Sequence, residues 1–553
     1  MSPAPSRTSL PAWQQLRQLA QTMQDQHLRQ LWADPQRARH FSKRAGPVLL
    51  DFGKQRVSAE VLDGLIALAK TCGLEAAIGD LVGGATVNNT EGRPALHTAL
   101  RLPPEASLSV GGQNVVPQIH ASLNRMRDMV GRIHSKQWRG YSGKAIRDVV
   151  NIGVGGSDLG PFMACKALGE YIPVQGRELN VHFVSSIDGT QIADLLGNLQ
   201  PETTLFLISS KSFTTVDTLS NARTALQWLL ADVGGDAELV LRHHFIGIST
   251  RSDRMSAWGI PESNQVGFWE WVGGRFSLWS AIGLPIALTL GMEGFEQMLA
   301  GAHFMDQHFQ AAPLVDNLPV LLGLLGVWNA TFLDIRAHAI LPYDGRLKFF
   351  PSYLSQLEME SNGKSTNRQG QSIDYATCPV LWGEVGPNAQ HAFYQLLHQG
   401  TQAVSSDFIA PVQRYHEREG EGSSELLIQH RLALANCLAQ SRVLMLGDSC
   451  VEGGESAPGF RRYRGNQPSS TILLDELNPH SLGALIALYE HKVYVMSVIW
   501  DINPFDQWGV ELGKQIADTT FQALSVGHCE GFDGSTNHLL AAIVRGAQDR
   551  ELP

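Results

Sequence analysis

Cysteine is scarce in this sequence, and positive charge is not in excess. The 553 residues include six cysteines, none of them in a C-x-x-C pair: Cys72, Cys165, Cys378, Cys437, Cys450 and Cys529. A chain of this length with so few cysteines has no disulfide framework, which fits a reducing compartment. The 43 Lys and Arg residues against 53 Asp and Glu residues leave a net charge of −10. That balance disfavours a nucleic-acid partner.

Long apolar runs are missing as well. The most apolar stretches, 278–291 and 318–333, are shorter than the roughly 20 residues that a spanning helix needs, and each carries Gly, Pro or Asn. We expect both to be core helices. The first residues lack the apolar core of a signal peptide. The sequence therefore predicts a cytoplasmic protein without a membrane partner.

Several catalytic motifs are also missing. There is no H-E-x-x-H, no G-x-S-x-G and no Walker A lysine pattern, which disfavours a metal site, a serine hydrolase and a P-loop enzyme. The dinucleotide fingerprint G-x-G-x-x-G is matched at Gly153 and Gly155, but Asp158 occupies its third glycine position. We expect no metal and no cofactor.

What is present is an alternation of strand and helix patterns. A chain of 553 residues is too long for one core. Apolar runs at 148–154, 181–186, 204–209 and 243–249 alternate with helical patterns, which predicts a parallel sheet covered on both faces. Segments 442–448, 470–477 and 493–500 are predicted as further strands. We expect an α/β fold, with a small domain over 121–289, a large domain from 1–120 and 290–515, and a helical arm over 516–553.

Two polar loops follow strands of the smaller domain. The first contains Gly155, Gly156 and Ser157, and the second runs over 210–215 as SKSFTT. Each enters a helix, whose N-terminus offers free N–H groups and a partial positive charge. Ser and Thr are also ordinary helix caps, so a single hydroxyl says little. Four hydroxyls and Lys211 within six residues favour a phosphate monoester as ligand.

Acid–base candidates occur farther along. Gln356 and Glu360 are four residues apart in a helical segment, so they share a face. Gln507 and Lys514 are seven apart in FDQWGVELGKQ, which predicts two turns on one helical face. His391 lies in another helical pattern. Each residue alone is more often structural than catalytic.

At these positions the sequence resembles the phosphoglucose isomerase family. The resemblance covers most of the chain in long blocks that keep the family's order: NNTEGRPALHTALR, NIGVGGSDLGP, FVSSIDGT, SSKSFTT, FWEWVGGRFSLWSAIGLP, MESNGKS, QHAFYQLLHQGT, NPHSLGALIALYEHK and FDQWGVELGK. It implies two sugar-isomerase-type (SIS) three-layer αβα domains with parallel-rich sheets, and helical terminal segments. It also implies a homodimer that interconverts glucose 6-phosphate and fructose 6-phosphate without a cofactor.

The resemblance also implies a role for each matching residue. Glu360 would be the isomerisation base, Arg275 would lie beside the reacting carbons, and His391 and Lys514 would serve ring opening, with His391 reaching the site of the neighbouring subunit. The phosphate ligands would be Ser157, Ser210, Lys211, Ser212 and Thr215. Gly156 would lie against the substrate, and Gln356 and Gln507 would line the pocket.

Three alternatives stay open at this point. A noncatalytic sugar-phosphate sensor would keep the hydroxyl-rich loop, although the joint presence of Glu360, His391, Lys514 and Arg275 argues against it. A dehydrogenase on an α/β scaffold is disfavoured by Asp158. An isomerase of broader specificity, accepting mannose 6-phosphate too, has the same sequence features.

Overall fold

The computed structural model describes residues 6–415, 424–527 and 530–548. The chain divides into two compact units, Met1–Pro504 and Phe505–Pro553. The domain boundaries expected from the sequence stay a prediction. Within the described residues the strands are, in chain order, β1 Ser42–Ala45, β2 Val48–Asp51, β3 Ser109–Val110, β4 Gln113–Asn114, β5 Asp148–Gly153, β6 Asn180–Val184, β7 Thr204–Ser209, β8 Phe245–Ser249, β9 Gln265–Gly267, β10 Ala337–Pro342, β11 Val380–Gly383, β12 Ser405–Gln413 and β13 Ser469–Glu476.

Five strands form an entirely parallel sheet in the order β6-β5-β7-β8-β9. All six residues of β7 are buried, so helices and loops cover both faces. Its apolar side chains pack with those of the crossover helices Thr190–Asn198 and Val216–Val233. The predicted parallel sheet is confirmed, and β7 has the bounds that the sequence predicts. β5 and β7 are neighbours, so the loops that follow them lie side by side.

A second sheet has six strands in the order β1-β2-β13-β12-β10-β11. β11, β10, β12 and β13 run parallel, whereas β2 pairs antiparallel with β13 and β1 antiparallel with β2. The strand predicted at 470–477 is confirmed by β13, which begins and ends one residue earlier. The hairpin of β1 and β2 lies in the N-terminal part of the chain, where the resemblance implies a helical segment. A short apolar run around Val48 was its only signal.

The α-helices of the first unit carry the remaining regular structure: Pro11–Gln24, Leu28–Leu31, Arg37–His40, Ala59–Thr71, Leu74–Val82, Val116–His134, Leu159–Ala167, Thr190–Asn198, Val216–Val233, Ala237–His244, Ser252–Trp258, Leu284–Ala311, Leu318–Val327, Phe350–Ser355, Gly386–Ala392, Tyr394–Gln399, Glu425–Leu446 and Pro479–Ile499. Two π-helical segments, Trp328–Phe332 and Gln356–Glu360, continue the helices before them. The core helix expected near 318–333 is confirmed. In the stretch 278–291, 3-10 turns precede the helix that begins at Leu284.

Two strand predictions are wrong. Segment 442–448 is the end of the helix Glu425–Leu446 and a 3-10 turn, and 493–500 is the end of the helix Pro479–Ile499. Asn478 and Ser481 form a capping box that starts the latter helix at Pro479. Because that helix is buried on all sides, its apolar residues show no helical periodicity, and a β-branched run within it looks like a strand.

Helix Pro479–Ile499 is also the one helix, among the described residues, that is long and apolar enough to cross a membrane. Its apolar window is entirely buried inside the protein. It also carries Glu490, His491 and Lys492, all buried. These features are those of a central core helix.

The second unit contains a 3-10 turn, Trp508–Val510, and two helices, Glu511–Val526 and Gly534–Gln548.

Candidate active site

The glycine loop leaves β5 and enters the helix Leu159–Ala167 through a 3-10 turn, Gly155–Ser157. The Nδ2 of Asn151 donates to the Ser157 carbonyl at 3.0 Å, and Ser209 Oγ donates to Asn151 Oδ1 at 2.7 Å. Ser209 is the last residue of β7, so this buried pair ties the two polar loops together. Gly155 has a φ of +60°, which favours glycine.

The hydroxyl-rich loop enters the helix Val216–Val233 at Thr215. Thr215 occupies the N-cap position, but no side chain caps this helix. Its hydroxyl instead lies 3.2 Å from that of Ser210, which accepts a hydrogen bond from the Phe213 N–H at 3.1 Å. Ser212 pairs in the same way with Thr214, at 2.8 Å. Because the hydroxyls pair with one another, the helix N-terminus keeps the donors that an anion requires.

Lys211 is held by backbone rather than by solvent. Its Nζ donates to the carbonyls of Glu270 at 2.7 Å and Val272 at 2.9 Å. Burial, with a further contribution from the charge of Arg93, lowers the pKa of Lys211 to about 8. Arg93 Nη1 lies 3.2 Å from the Glu270 carboxylate, so two cations meet around this glutamate. Arg93 lies in the NNTEGR block, but the sequence does not predict this contact.

Gly156 faces the backbone of the segment that carries Arg275. A Cβ at Gly156 would lie 2.0 Å from the Gly274 carbonyl oxygen and 2.7 Å from the Arg275 nitrogen. This close approach by itself requires glycine at position 156. It also brings the 3-10 helix Gly274–Trp279 against the glycine loop.

Glu360 and Arg275 meet at the centre of the site. Arg275 Nη1 donates to Glu360 Oε1 at 3.1 Å, and Arg275 Nε donates to Ser361 Oγ at 2.6 Å. The Nη2 of Arg275 donates to the Pro504 carbonyl. Arg275 is 3% exposed, whereas a quarter of the Glu360 side chain is accessible. A fixed guanidinium thus lies beside a carboxylate that solvent or a ligand can reach.

Gln356 joins Glu360 to the glycine loop. Its Nε2 donates to Glu360 Oε2 at 2.9 Å, and a Cβ at Gly155 would lie 2.9 Å from the same nitrogen. Its Oε1 is buried and has no hydrogen-bond partner among the described residues. The predicted shared face of Gln356 and Glu360 is therefore seen, although the turn between them is π-helical. Single π-turns of this kind are frequent at functional sites.

Asp158 occupies the N-cap of the helix Leu159–Ala167 without capping it. It is 7% exposed, and its Oδ1 has no hydrogen-bond partner in the described part of the chain. Burial raises the pKa of this carboxyl to about 6.

Of the other predicted site residues, His391 belongs to the first unit, and Gln507 and Lys514 belong to the second. His391 is exposed on the helix Gly386–Ala392 and makes no hydrogen bond or ion pair with the described residues. Lys514 lies in the second unit, where its Nζ pairs with Glu511 at 2.9 Å. Gln507 precedes the helix that begins at Glu511 and has a non-helical backbone. The prediction that Gln507 and Lys514 share a helical face is therefore wrong, because the helix begins four residues after Gln507.

The described residues contain no group of three or more His, Cys, Asp or Glu side chains arranged to hold a metal ion. What the cluster offers is a carboxylate, a guanidinium and two loops with anion-binding donors. These groups suit proton transfer on a phosphorylated substrate.

Comparisons with known proteins agree with this chemistry. A family model described as "Phosphoglucose isomerase" matches residues 51–540. Over 547 residues the chain is 60% identical to "Glucose-6-phosphate isomerase 2" of Chromohalobacter salexigens, covering 97% of this chain and 98% of that protein. It is 58% identical to glucose-6-phosphate isomerase of Psychrobacter cryohalolentis over 540 residues, 96% of each chain.

Among solved structures, the fold is similar to that of a glucose-6-phosphate isomerase from Chlamydia trachomatis, with a TM-score of 0.83. The two chains share 29% sequence identity, and the match covers 99% of each. Since the family model and the relatives span nearly the whole sequence, this chain belongs to the phosphoglucose isomerase family.

Proposed function

We propose that this chain interconverts glucose 6-phosphate and fructose 6-phosphate, as a reversible step of glycolysis and gluconeogenesis. The observation that carries the proposal is the contact of Glu360 with Arg275, next to two loops built for an anion, in a member of this family. The substrate is a sugar phosphate, and the reaction uses no cofactor.

The phosphate binds at the two loops. Ser157, Ser210, Ser212 and Thr215 donate hydroxyls, and Lys211 supplies positive charge. These groups lie at helix N-termini, where N–H groups and the helix dipole favour an anion. Binding at the phosphate holds the far end of the sugar in register with the reacting carbons.

Glu360 is the base that transfers the proton. It takes a proton from C1 of the open-chain ketose and returns it to C2, by way of an enediolate. Negative charge then develops on the substrate oxygens. Arg275, buried and fixed by Ser361 and the Pro504 carbonyl, stabilises that charge more in the transition state than in the ground state. Gln356 orients the Glu360 carboxylate.

Ring opening precedes isomerisation and uses His391 and Lys514, while Gln507 lines the pocket. We propose that His391 acts in the site of a second subunit of a homodimer. Its exposure, and the lack of a hydrogen-bond partner for it among the described residues of its own chain, support this assignment. The homodimer works in the cytoplasm.

The test is to incubate the purified protein with fructose 6-phosphate, a chelator and no nucleotide in deuterated water, and to follow the sugars by NMR. We expect glucose 6-phosphate that carries deuterium at C2. Mannose 6-phosphate in the same spectrum would indicate the broader specificity. Binding of fructose 6-phosphate without turnover would overturn the proposal in favour of a sugar-phosphate sensor.

A further inference from the structure

A buried ion pair lies directly beneath the turn that carries Glu360. Lys492 Nζ donates to Glu358 Oε2 at 2.6 Å, and the two residues are 2% and 1% exposed. Glu358 is in the middle of the π-helical segment Gln356–Glu360, so it is two residues from each of the two side chains that face the site. Its other oxygen has no partner among the described residues. The ammonium of Lys492 is therefore its principal contact.

The chain just after the π-helical segment is held by Val493, the neighbour of Lys492 in the helix Pro479–Ile499. Asn362, fully buried, donates from Nδ2 to the Val493 carbonyl at 3.1 Å. Two adjacent residues of the central helix Pro479–Ile499 thus contact the chain on both sides of Glu360.

The same helix also holds the segment that carries Arg275. Glu490 accepts from Trp279 Nε1 at 2.8 Å and from Arg101 Nη1 at 2.6 Å, and all three side chains are buried. Trp279 ends the 3-10 helix Gly274–Trp279. Glu490 and Lys492 lie two residues apart, so one stretch of one helix contacts both the Arg275 segment and the Glu360 segment.

We propose that Lys492 and Glu358 are positioning residues that hold the π-helical turn so that Glu360 stays in place against Arg275. The proposal rests on the proposed function, because it assigns these residues a part in the same proton transfer. A buried ion pair contributes little net stability compared with apolar residues of similar volume. Its directional 2.6 Å contact instead fixes the position of the π-helical turn relative to the helix Pro479–Ile499. Neither residue is proposed to touch the substrate.

The experiment is a double-mutant cycle with Lys492→Met, Glu358→Gln and the combined variant, with Lys70→Met on an exposed helical surface as the control. Each single variant leaves one buried charge unpaired and should unfold at lower urea concentration. The combined variant removes both charges and should regain most of that stability. We expect kcat in all three variants to be lower than in the unchanged chain, on the order of 10- to 100-fold. A displacement of Glu360 by about 1 Å has effects of that size.

Two further measurements distinguish a positioning role from a general loss of active-site structure. The affinity for glucitol 6-phosphate, which carries the phosphate but no carbonyl, should be unchanged, since both phosphate loops are intact. The kinetic isotope effect with glucose 6-phosphate deuterated at C2 should rise as proton transfer becomes slower. Recovery of kcat together with stability in the combined variant would overturn the proposal, as would a parallel loss of glucitol 6-phosphate binding. Inactivity of the unchanged chain would refute the proposed function instead.

Discussion

Gly156 approaches the backbone of Gly274 closely, so Gly156→Ala tests how the glycine loop packs against the segment that carries Arg275. The added Cβ would lie 2.0 Å from the Gly274 carbonyl oxygen and 2.2 Å from its carbonyl carbon, whereas ordinary contact begins at 3.4 Å. The two backbones must therefore move apart by about 1.4 Å, because no flexible side chain lies there to give way. The movement carries Arg275 away from the glycine loop.

We expect two effects of Gly156→Ala. Overpacking should lower the free energy of unfolding by about 1 to 3 kcal/mol. A displacement of more than 1 Å at Arg275 should lower kcat by about 100-fold. Urea unfolding without ligand and steady-state kinetics with fructose 6-phosphate measure the two effects.

The control for this variant is Gly131→Ala, in an exposed turn of the helix Val116–His134 where a Cβ meets open space. It should be neutral or stabilising by about 0.5 to 1 kcal/mol. The measurement without ligand matters, because a Cβ that only obstructed the substrate would lower kcat and leave stability unchanged. Unchanged stability in Gly156→Ala would therefore refute the packing argument, whatever the kinetics show.

Three further predictions concern single ionisable groups. Glu360→Gln should keep the affinity for glucitol 6-phosphate and lower kcat by about 100- to 10,000-fold, the range for a general base; near-normal turnover would rule Glu360 out. In the unchanged chain kcat/KM should fall above pH about 8, where Lys211 loses its proton; Lys211→Met should have a lower kcat/KM without that fall. Burial raises the pKa of Asp158 to about 6 from 3.8, so between these values the folded state binds more protons and stability decreases as pH rises. Asp158→Asn should accordingly stabilise the protein at pH 7, by at most about 3 kcal/mol, and have no such effect at pH 4, as pH-dependent urea unfolding would show.

Much of the local structure near the site follows from the sequence. β7 and the loop after it could be placed because a short apolar strand between turn residues leaves few alternatives. The helix around Glu360 could be placed as well, since Pro351 falls in its first turn and Asn362-Gly363 ends it. In such segments the signal is local, and a single sequence contains it.

The sequence predictions are wrong where tertiary burial or pairing with a distant strand determines the secondary structure. Residues 493–500 are buried on every side, so hydrophobicity does not distinguish helix from strand there. The hairpin of β1 and β2 exists because β2 pairs with β13, more than 400 residues away. The spacing of Gln507 from Lys514 predicts that both lie on one helix, but spacing alone does not show where a helix begins.

Local sequence signals also do not predict the distances between residues of the site. Arg275 and Glu360 are 85 residues apart in the chain. Arg275 is also held by Ser361, which lies in the MESNGKS block, and by the Pro504 carbonyl, which no motif marks. Arg275 has acceptors on three sides, so its position is set before a substrate binds.

The hydroxyl-rich loop is also held in place before a substrate binds. Ser210 pairs with Thr215, Ser212 with Thr214, and Lys211 with two carbonyls. A phosphate that binds there exchanges these contacts for its own and orders few new side chains, so little of the binding energy is lost to conformational entropy. More of that energy is then available to hold C1 and C2 against Glu360, and the phosphate thus contributes to proton transfer at carbons it does not touch.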